Sequence, residues 1–275
     1  APQPETPATL RFYMPAEWRT HTATWLTWPK NPETWPDRVA QVEQIYIEMM
    51  AALAPHETVN LLVDDGATEQ AVLERCAFPG AENIRFHHIP TVDSWIRDYG
   101  PNFLINDRGT RAFNNWIFNA WGNKYETLKH DDAVPLFLEP VLQLRRFEPG
   151  IVMEGGAIDV NGAGCVLTTE QCLLNTNRNP HLSRPEIENY LKSYLGVNKV
   201  LWLGEGIVGD DTDGHVDDIA RFVAPNVIVC VVEDDPQDAN HELLQDNLKR
   251  LKSMTDANGS PFEIVTLPMP GVVGG

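Results

Sequence analysis

The sequence has no apolar run of about 18 residues, so it predicts no membrane-spanning helix. Its start, APQPETPATL, lacks the basic and apolar regions of a secretory signal peptide. We therefore expect residues 1–10 to be a flexible lead-in, and the absence of a secretion signal favours a cytoplasmic protein.

Cysteine is scarce, and its spacing is uninformative for metal or redox chemistry. The chain has four cysteines, none of them in a C-x-x-C pair or a zinc-finger pattern. Each lies in or beside an apolar stretch, which predicts buried, unreactive thiols at Cys76, Cys165, Cys172 and Cys230.

Positive charge is also in short supply. The chain has 39 acidic against 21 basic residues, a formal net charge of −18. Such a chain repels nucleic acid and anionic membrane surfaces and attracts small cations. Solubility alone is the simpler explanation of the same charge.

The order of predicted elements repeats. Hairpin turns are predicted at Arg108-Gly109, Asn161-Gly162 and Pro225-Asn226, each followed by a helix and a further strand. The clearest helix spans 183–196, with a capping box at its start and a glycine at its end. With no long linker in the chain, the pattern predicts one α/β domain of strand–strand–helix–strand repeats over residues 11–275.

In each repeat, the strand after the helix leads into a segment rich in glycine and acid. These segments carry Asp98, Glu154, and the pair His215 and Asp217. If equivalent loops converge, the four side chains share a pocket. Simpler alternatives remain for each: Asp98 as a turn former or partner of Arg97, Glu154 as a solvated loop residue, and His215 as a structural histidine.

The segment GDDTDGHVDD fits a guanidinium site better than a metal site. With Gly214 as the sixth residue of a calcium loop, Gly209 and Ala220 would stand where Asp and Glu are required. His215 also lacks a second ligand at zinc-site spacing. A guanidinium pairs bidentately with carboxylates, and an imidazole beside it can transfer protons. Trp95 could shield this cation, or it could belong to the core.

Six segments resemble the agmatine deiminase family, which is grouped with the bacterial peptidylarginine deiminases. They are PAEWRTHTATWLTWP, DSWIRDYGP, FNNWIFNAWGNKY, MEGGAIDVNG, LLNTNRNP and DDTDGHVDD, in order from about residue 11 to the end of the chain. The resemblance implies a five-bladed α/β propeller of the pentein type. It also implies a cysteine-dependent hydrolase of polyamine metabolism with no metal or cofactor.

The resemblance also implies roles for the candidate residues. Asp98 and Asp217 would hold the substrate guanidinium, and His215 would be the general acid/base. Glu154 would contact the substrate or orient the other groups, with Trp95 in the same pocket. The implied substrate is agmatine, converted to N-carbamoylputrescine and ammonia; free or peptidyl arginine, giving citrulline, is the alternative. A homo-oligomer is compatible with this family.

The chain departs from the family pattern at its C-terminal end. The family's nucleophilic cysteine lies in a Gly-rich segment beyond the point reached by PGVVGG, and none of the four cysteines matches it. We therefore expect the final blade to be incomplete within these residues, with the C-terminal segment of the catalytic domain missing. A module that binds guanidines without turnover, or a purely structural protein, remains the alternative.

Overall fold

The structure, a computed structural model, describes residues 5–271. Its strands are β1 (Phe12–Tyr13), β2 (Ala23–Thr27), β3 (Thr58–Val63), β4 (Ile84–His88), β5 (Asn102–Asn106), β6 (Arg111–Asn114), β7 (Arg145–Phe147), β8 (Asp159–Val160), β9 (Cys165–Thr169), β10 (Lys199–Leu203), β11 (Ala220–Ala224), β12 (Val227–Val232) and β13 (Glu263–Pro268). Its α-helices are α1 (Val39–Leu53), α2 (Gly66–Leu73), α3 (Ile96–Tyr99), α4 (Ala120–Asn123), α5 (Val134–Leu142), α6 (Glu170–Leu173), α7 (Arg184–Leu195) and α8 (His241–Ser253).

The described residues divide into two compact units. The first unit contains residues 5–19, 101–124 and 144–271, and the second contains 20–100 and 125–143. Residues 1–4 of the predicted lead-in lie outside the described residues, whereas Ala8–Leu10 form a short 3-10 helix. The assignment of residues 11–275 to a single domain stays a prediction.

The predicted repeat is present in three sheets of the first unit. Each has an antiparallel hairpin, β5–β6, β8–β9 or β11–β12. Each also has a later strand parallel to the second hairpin strand: β7 on β6, β10 on β9 and β13 on β12. Helices α7 and α8 lie in the last two of these connections, as expected, because a parallel return needs a crossover.

The sheet of the second unit follows a different order. Strands β2, β3 and β4 are all parallel, with α1 and α2 in the connections. Because both strand pairs are parallel, the hairpin-containing repeat does not extend to this sheet. Its core includes Leu61, Met50 and Val72, each no more than 1% exposed.

Helix α7 shows how local sequence fixes an element of the first unit. Ser183 and Glu186 form the predicted capping box, and Gly196 ends the helix at φ 65°. Ile187 and Leu191 face the core at 1% and 0% exposure. Burying each of these side chains contributes about 1.5–3 kcal/mol, which anchors α7 beside the β8–β9–β10 sheet.

All four cysteines are free and buried, as predicted. Burial is the leading cause that raises the pKa of each thiol. The apolar stretch that contains Cys165 and Cys172 was expected to form a strand pair, which is wrong for Cys172: Cys165 lies in β9, whereas Cys172 lies in α6. Among residues 5–271, no helix is long and apolar enough to cross a membrane.

Candidate active site

Asp210 shapes the loop that carries His215. Its Oδ1 accepts hydrogen bonds from the Thr212 backbone N–H at 2.8 Å and from the Thr212 hydroxyl at 2.6 Å. Its Oδ2 accepts from the backbone N–H groups of Gly214 at 2.8 Å and His215 at 3.2 Å. Asp210 is therefore one aspartate of this segment with a structural role: it holds the loop closed around His215, as a capping side chain does.

Two glycines allow this loop to close on itself. A Cβ on Gly206 would lie 2.5 Å from the Cα of Gly214. Gly214 has φ +81°, and a Cβ there would lie 2.4 Å from the Gln171 Oε1 and 2.9 Å from the Gly206 nitrogen. The Thr169 hydroxyl donates to the Gly214 carbonyl at 2.6 Å, which fixes the crossing to the end of β9.

His215 lies between two carboxylates. Its Nε2 is 3.9 Å from Glu154 Oε1, and its Nδ1 is 4.0 Å from Asp217 Oδ1. The imidazole is 2% exposed, whereas Asp217 is 20% exposed. A buried imidazole flanked by negative charge can hold and release a proton, as a general acid or base must.

Glu154 is fully buried and ionised. Its Oε1 accepts from Arg178 Nε at 2.7 Å and lies 2.6 Å from Arg178 Nη2. Burial alone would raise the pKa of Glu154, but the neighbouring His215 and the charge of Arg178 lower it below its usual value. The alternative that Glu154 is a solvated loop residue is wrong, because its side chain is 0% exposed.

Arg178 is the buried residue beside Glu154 that the sequence reasoning missed. Its side chain is 0% exposed, and its pKa is raised because Glu154 and the other partners outweigh the effect of burial. On the far edge of the guanidinium, Nη1 donates to Asp213 Oδ2 at 2.7 Å and Asn177 Oδ1 at 2.8 Å, and Nη2 donates to the Thr212 carbonyl at 2.8 Å. The signal for it was present in LLNTNRNP, one of the segments that carry the family resemblance.

Asp213 connects Arg178 to the surface. Its Oδ1 accepts from Lys124 Nζ at 2.8 Å, and its Oδ2 accepts from Asn177 Nδ2 at 2.9 Å. Burial would raise the pKa of Asp213, but the hydrogen bonds from Lys124, Asn177 and Arg178 lower it. Its φ of 64° is unusual for a residue other than glycine and is typical of strained functional segments.

Cys172 lies beside the imidazole and Glu154. One donor atom from each of Glu154, Cys172 and His215 lies within 4.8 Å of the others. Burial and the nearby Glu154 charge raise the pKa of the thiol, which keeps Cys172 protonated. The guanidinium of Arg178 already binds Glu154 and opposes a second cation here, so we interpret the cluster as a proton-transfer site.

Asp98 and Trp95 lie in the second unit. Trp95 stacks on Trp35 with ring centroids 5.6 Å apart, and its Nε1 donates to Asp93 Oδ2 at 3.0 Å. Asp98 is half-buried in α3, where its backbone N–H donates to the Trp95 carbonyl at 2.9 Å. The structure brings Glu154, His215 and Asp217 together in the first unit; a pocket that also includes Asp98 stays a prediction.

The buried carboxyl of Asp131 anchors the segment that leads to Trp95 and Asp98. Asp131 accepts from the backbone N–H groups of Val92 at 2.6 Å and Asp93 at 2.9 Å. Burial raises the pKa of Asp131 to about 6, since it outweighs these two hydrogen bonds. Compared with the unfolded chain, the native structure therefore favours the protonated form of this carboxyl.

We expect Asp131→Asn to change how stability depends on pH. A carboxyl whose native pKa is above its unfolded value binds protons preferentially in the native state. The preference for the protonated carboxyl stabilises the native state fully below about pH 4. This stabilisation, roughly 3 kcal/mol in all, is lost as the pH rises to about 6. In urea titrations across this window, the wild-type protein should lose this stability relative to Asp131→Asn.

The control for this comparison is Asp107→Asn, which removes one exposed carboxylate from a hairpin turn. The control should follow the wild-type pH dependence. Parallel pH curves for Asp131→Asn and the wild type would contradict the assignment.

The chain resembles known deiminases in sequence and in fold. A model of the family described as Porphyromonas-type peptidyl-arginine deiminase matches residues 13–274. The agmatine deiminase of Ectopseudomonas mendocina (strain ymp) is 39% identical over 273 residues, 98% of this chain and 73% of the relative. The solved structure of the Enterococcus faecalis agmatine deiminase catalysing its reaction has a TM-score of 0.90 at 36% identity, covering 97% of this chain and 73% of the other.

A second solved structure extends the likeness. A C. jejuni agmatine deiminase variant with substrate bound has a TM-score of 0.83 at 32% identity, covering 94% of this chain and 74% of the other. The α/β fold is therefore common to this chain and these enzymes. On the family match and these identities, the chain belongs to the Porphyromonas-type peptidyl-arginine deiminase family.

Proposed function

We propose that this protein is an agmatine deiminase, a hydrolase that converts agmatine and water to N-carbamoylputrescine and ammonia. The observation that carries the proposal is the buried imidazole of His215 between the carboxylates of Glu154 and Asp217. The relatives named agmatine deiminases, at 37–42% identity over most of the chain, favour the same substrate. A small guanidino compound also suits the net charge of −18.

The proposed reaction begins with a thiolate attack on the guanidinium carbon. A guanidinium is a weak electrophile, so Asp217 and Asp98 hold it in place while a strong nucleophile attacks. The nucleophile is the family's cysteine, for which none of the four cysteines here is a match. A C–S bond forms, the imidazolium of His215 donates a proton to the departing nitrogen, and the C–N bond breaks to release ammonia.

The second half-reaction restores the thiolate. The neutral imidazole of His215 accepts a proton from water, whose oxygen attacks the carbon of the S-alkylthiouronium. The hydroxyl of the tetrahedral adduct loses its remaining proton to solvent as the C–S bond breaks, which restores the thiolate, and neutral N-carbamoylputrescine leaves. The negative charge of Glu154 and Asp217 stabilises the imidazolium in each protonated stage, which suits an acid and base used in turn. Trp95 is proposed to shield the guanidinium.

The finer features of the fold are part of the same proposal. The three sheets with the hairpin-containing repeat support a five-bladed α/β propeller in which the described sheets are blades of one catalytic domain. A homo-oligomer and a cytoplasmic location are proposed from the likeness to the agmatine deiminases.

A deiminase of free or peptidyl arginine is the second candidate. The observation that favours it is the family description itself, which names peptidyl-arginine. Arginine and agmatine have the same guanidinium and differ in the carboxylate or peptide at the other end of the molecule. The site of Glu154, His215 and Asp217 would serve either substrate.

The test compares three substrates with the full-length protein. Agmatine, free arginine and an N-acylated arginine amide are each incubated at equal concentration, and ammonia and the ureido product are measured. We expect kcat/KM for agmatine to exceed the other two by about 100-fold or more, about 3 kcal/mol of discrimination. A preference for the acylated amide would establish the second candidate. Tight binding without ammonia would establish a guanidine-binding module.

A further inference from the structure

Five side chains of the first unit form a line of alternating charge that runs from the surface to the imidazole. Lys124, Asp213, Arg178, Glu154 and His215 follow one another at 2.8, 2.7, 2.6 and 3.9 Å. Exposure of the side chains falls along the line, from 29% at Lys124 and 17% at Asp213 to 0% at Arg178 and Glu154. Two of the five residues have a role in the proposed reaction, and three have none.

We propose that Arg178 is a positioning residue that holds Glu154 against His215, and that Lys124 acts through Asp213 to hold Arg178. This inference rests on the proposed function for its consequence in catalysis, although its geometry does not depend on the substrate. Arg178 is assigned no contact with the substrate.

The guanidinium is suited to this role because its hydrogen bonds leave it one orientation. Its Nε and Nη2 bind Glu154, while Nη1 binds Asp213 and Asn177, and Nη2 also donates to the Thr212 carbonyl. The fork thus joins the segment of Glu154 to the loop of His215. A lysine at this position could reach only one side, because its single ammonium lacks the planar fork.

The neighbouring backbone is shaped around this guanidinium. Gly122 has φ +86°, and a Cβ there would lie 2.2 Å from Asn177 Nδ2 and 2.9 Å from Arg178 Nη1. The α4 segment can therefore lie against Arg178 only with glycine at this position. Lys124, two residues further on, turns back to Asp213 and also donates to the Asp211 carbonyl at 2.5 Å.

The expected effect on the imidazole follows from the charges around it. The charged and titratable groups near His215 within the first unit include Glu154, Asp217, Cys172 and Arg178, together with Asp210, which accepts from the His215 backbone N–H at 3.2 Å. Arg178 is the cation among them. Its removal makes the loss of a proton from the His215–Glu154 pair less favourable, so the imidazole should titrate at higher pH.

The first experiment separates the charge of Arg178 from its geometry in the full-length protein. Arg178→Lys keeps the charge and loses the fork, whereas Arg178→Met loses both. We expect kcat for agmatine to fall about 100-fold in both variants, since a displacement of about 1 Å at a catalytic group costs that much. The ¹³Cε1–¹H signal of His215, assigned by its absence in His215→Gln, should titrate at least half a pH unit higher in Arg178→Met alone.

The second experiment tests the surface end of the line with variants that keep the buried pair intact. Lys124→Met should lower kcat about threefold to tenfold, and Asp213→Asn should lower it further. Because Lys124 is proposed to act through Asp213, the double variant should match Asp213→Asn within about twofold, which is non-additive. Lys129→Met, which removes another surface ion pair at 2.6 Å, is the matched control and should retain wild-type kcat.

The outcomes separate this inference from the proposed function. Wild-type kcat in Arg178→Lys, or multiplicative losses in the Lys124 and Asp213 cycle, would overturn the positioning role. An unchanged His215 titration in Arg178→Met would also overturn it. A wild-type protein with no activity on agmatine would end the proposed function, while the His215 signals would still test the positioning role.

Discussion

Replacing His215 by glutamine is expected to lower kcat for agmatine by about 10²- to 10⁴-fold in the full-length protein, the usual contribution of a positioned general acid or base. Glutamine has a similar size and is a polar hydrogen-bond donor, but it cannot carry the proton. Since His215 is 2% exposed, the polar replacement preserves the filling of the site. Steady-state kinetics and a thermal unfolding curve would separate the loss of chemistry from a loss of folded protein.

The matched control is another histidine of the first unit that makes a structural contact. His241 bonds the Glu233 carbonyl through Nδ1 at 2.8 Å at the start of α8. His241→Gln should therefore retain kcat within about twofold. If His215→Gln were equally active, the imidazole would have no part in proton transfer, and the role proposed for Glu154 would be lost with it.

The second large effect is expected at the crossing of the His215 loop. Gly214→Ala would place a Cβ 2.9 Å from the backbone nitrogen of Gly206 and displace the Gln171 side chain that accepts from this nitrogen at 2.7 Å. The positive φ of +81° adds backbone strain. Together we expect a loss of about 2–4 kcal/mol in the free energy of unfolding. Because His215 is the next residue, kcat should fall as well.

Gly259 provides the comparison for this substitution. It has φ +87°, and a Cβ there would meet nothing within 4 Å. Gly259→Ala should therefore show the cost of the backbone angle alone, about 1 kcal/mol, with kcat unchanged. Denaturant midpoints for the two variants would measure the difference, and equal midpoints would mean that the loop crossing contributes nothing to stability.

Local signals predicted much of the fold. The capping box of α7, the glycine that ends it and the hairpin turn at Asn161-Gly162 all depend on residues close in sequence, and the structure has each of them. By contrast, β2 was not predicted. It pairs in parallel with β3, which follows only after α1, and ATWLT has no clear alternation to mark it as a strand.

The site was predicted in part for the same reason. His215 stands out among its aspartates, but the burial of Glu154 depends on Arg178, which is 24 residues away in sequence. Nothing in the local pattern of MEGG distinguishes a buried carboxylate from a solvated one. Cys172 was expected to be inert, and its sequence gives no sign that α6 brings it beside His215. These contacts are set by packing between segments, which a single sequence does not display.

The division of the chain into two units has a consequence for its synthesis. All of the second unit, residues 20–100 and 125–143, is synthesised before β7, so it can fold before the first unit is complete. The first unit must wait, because β1 pairs with β5 and packs against Gly196 beyond α7. At about 5–20 residues per second, the roughly 180 residues between β1 and Gly196 take about 10–40 s to make. For that time the start of the chain has no completed unit to join, and a ribosome-bound chain should resist protease first within residues 20–100 and 125–143.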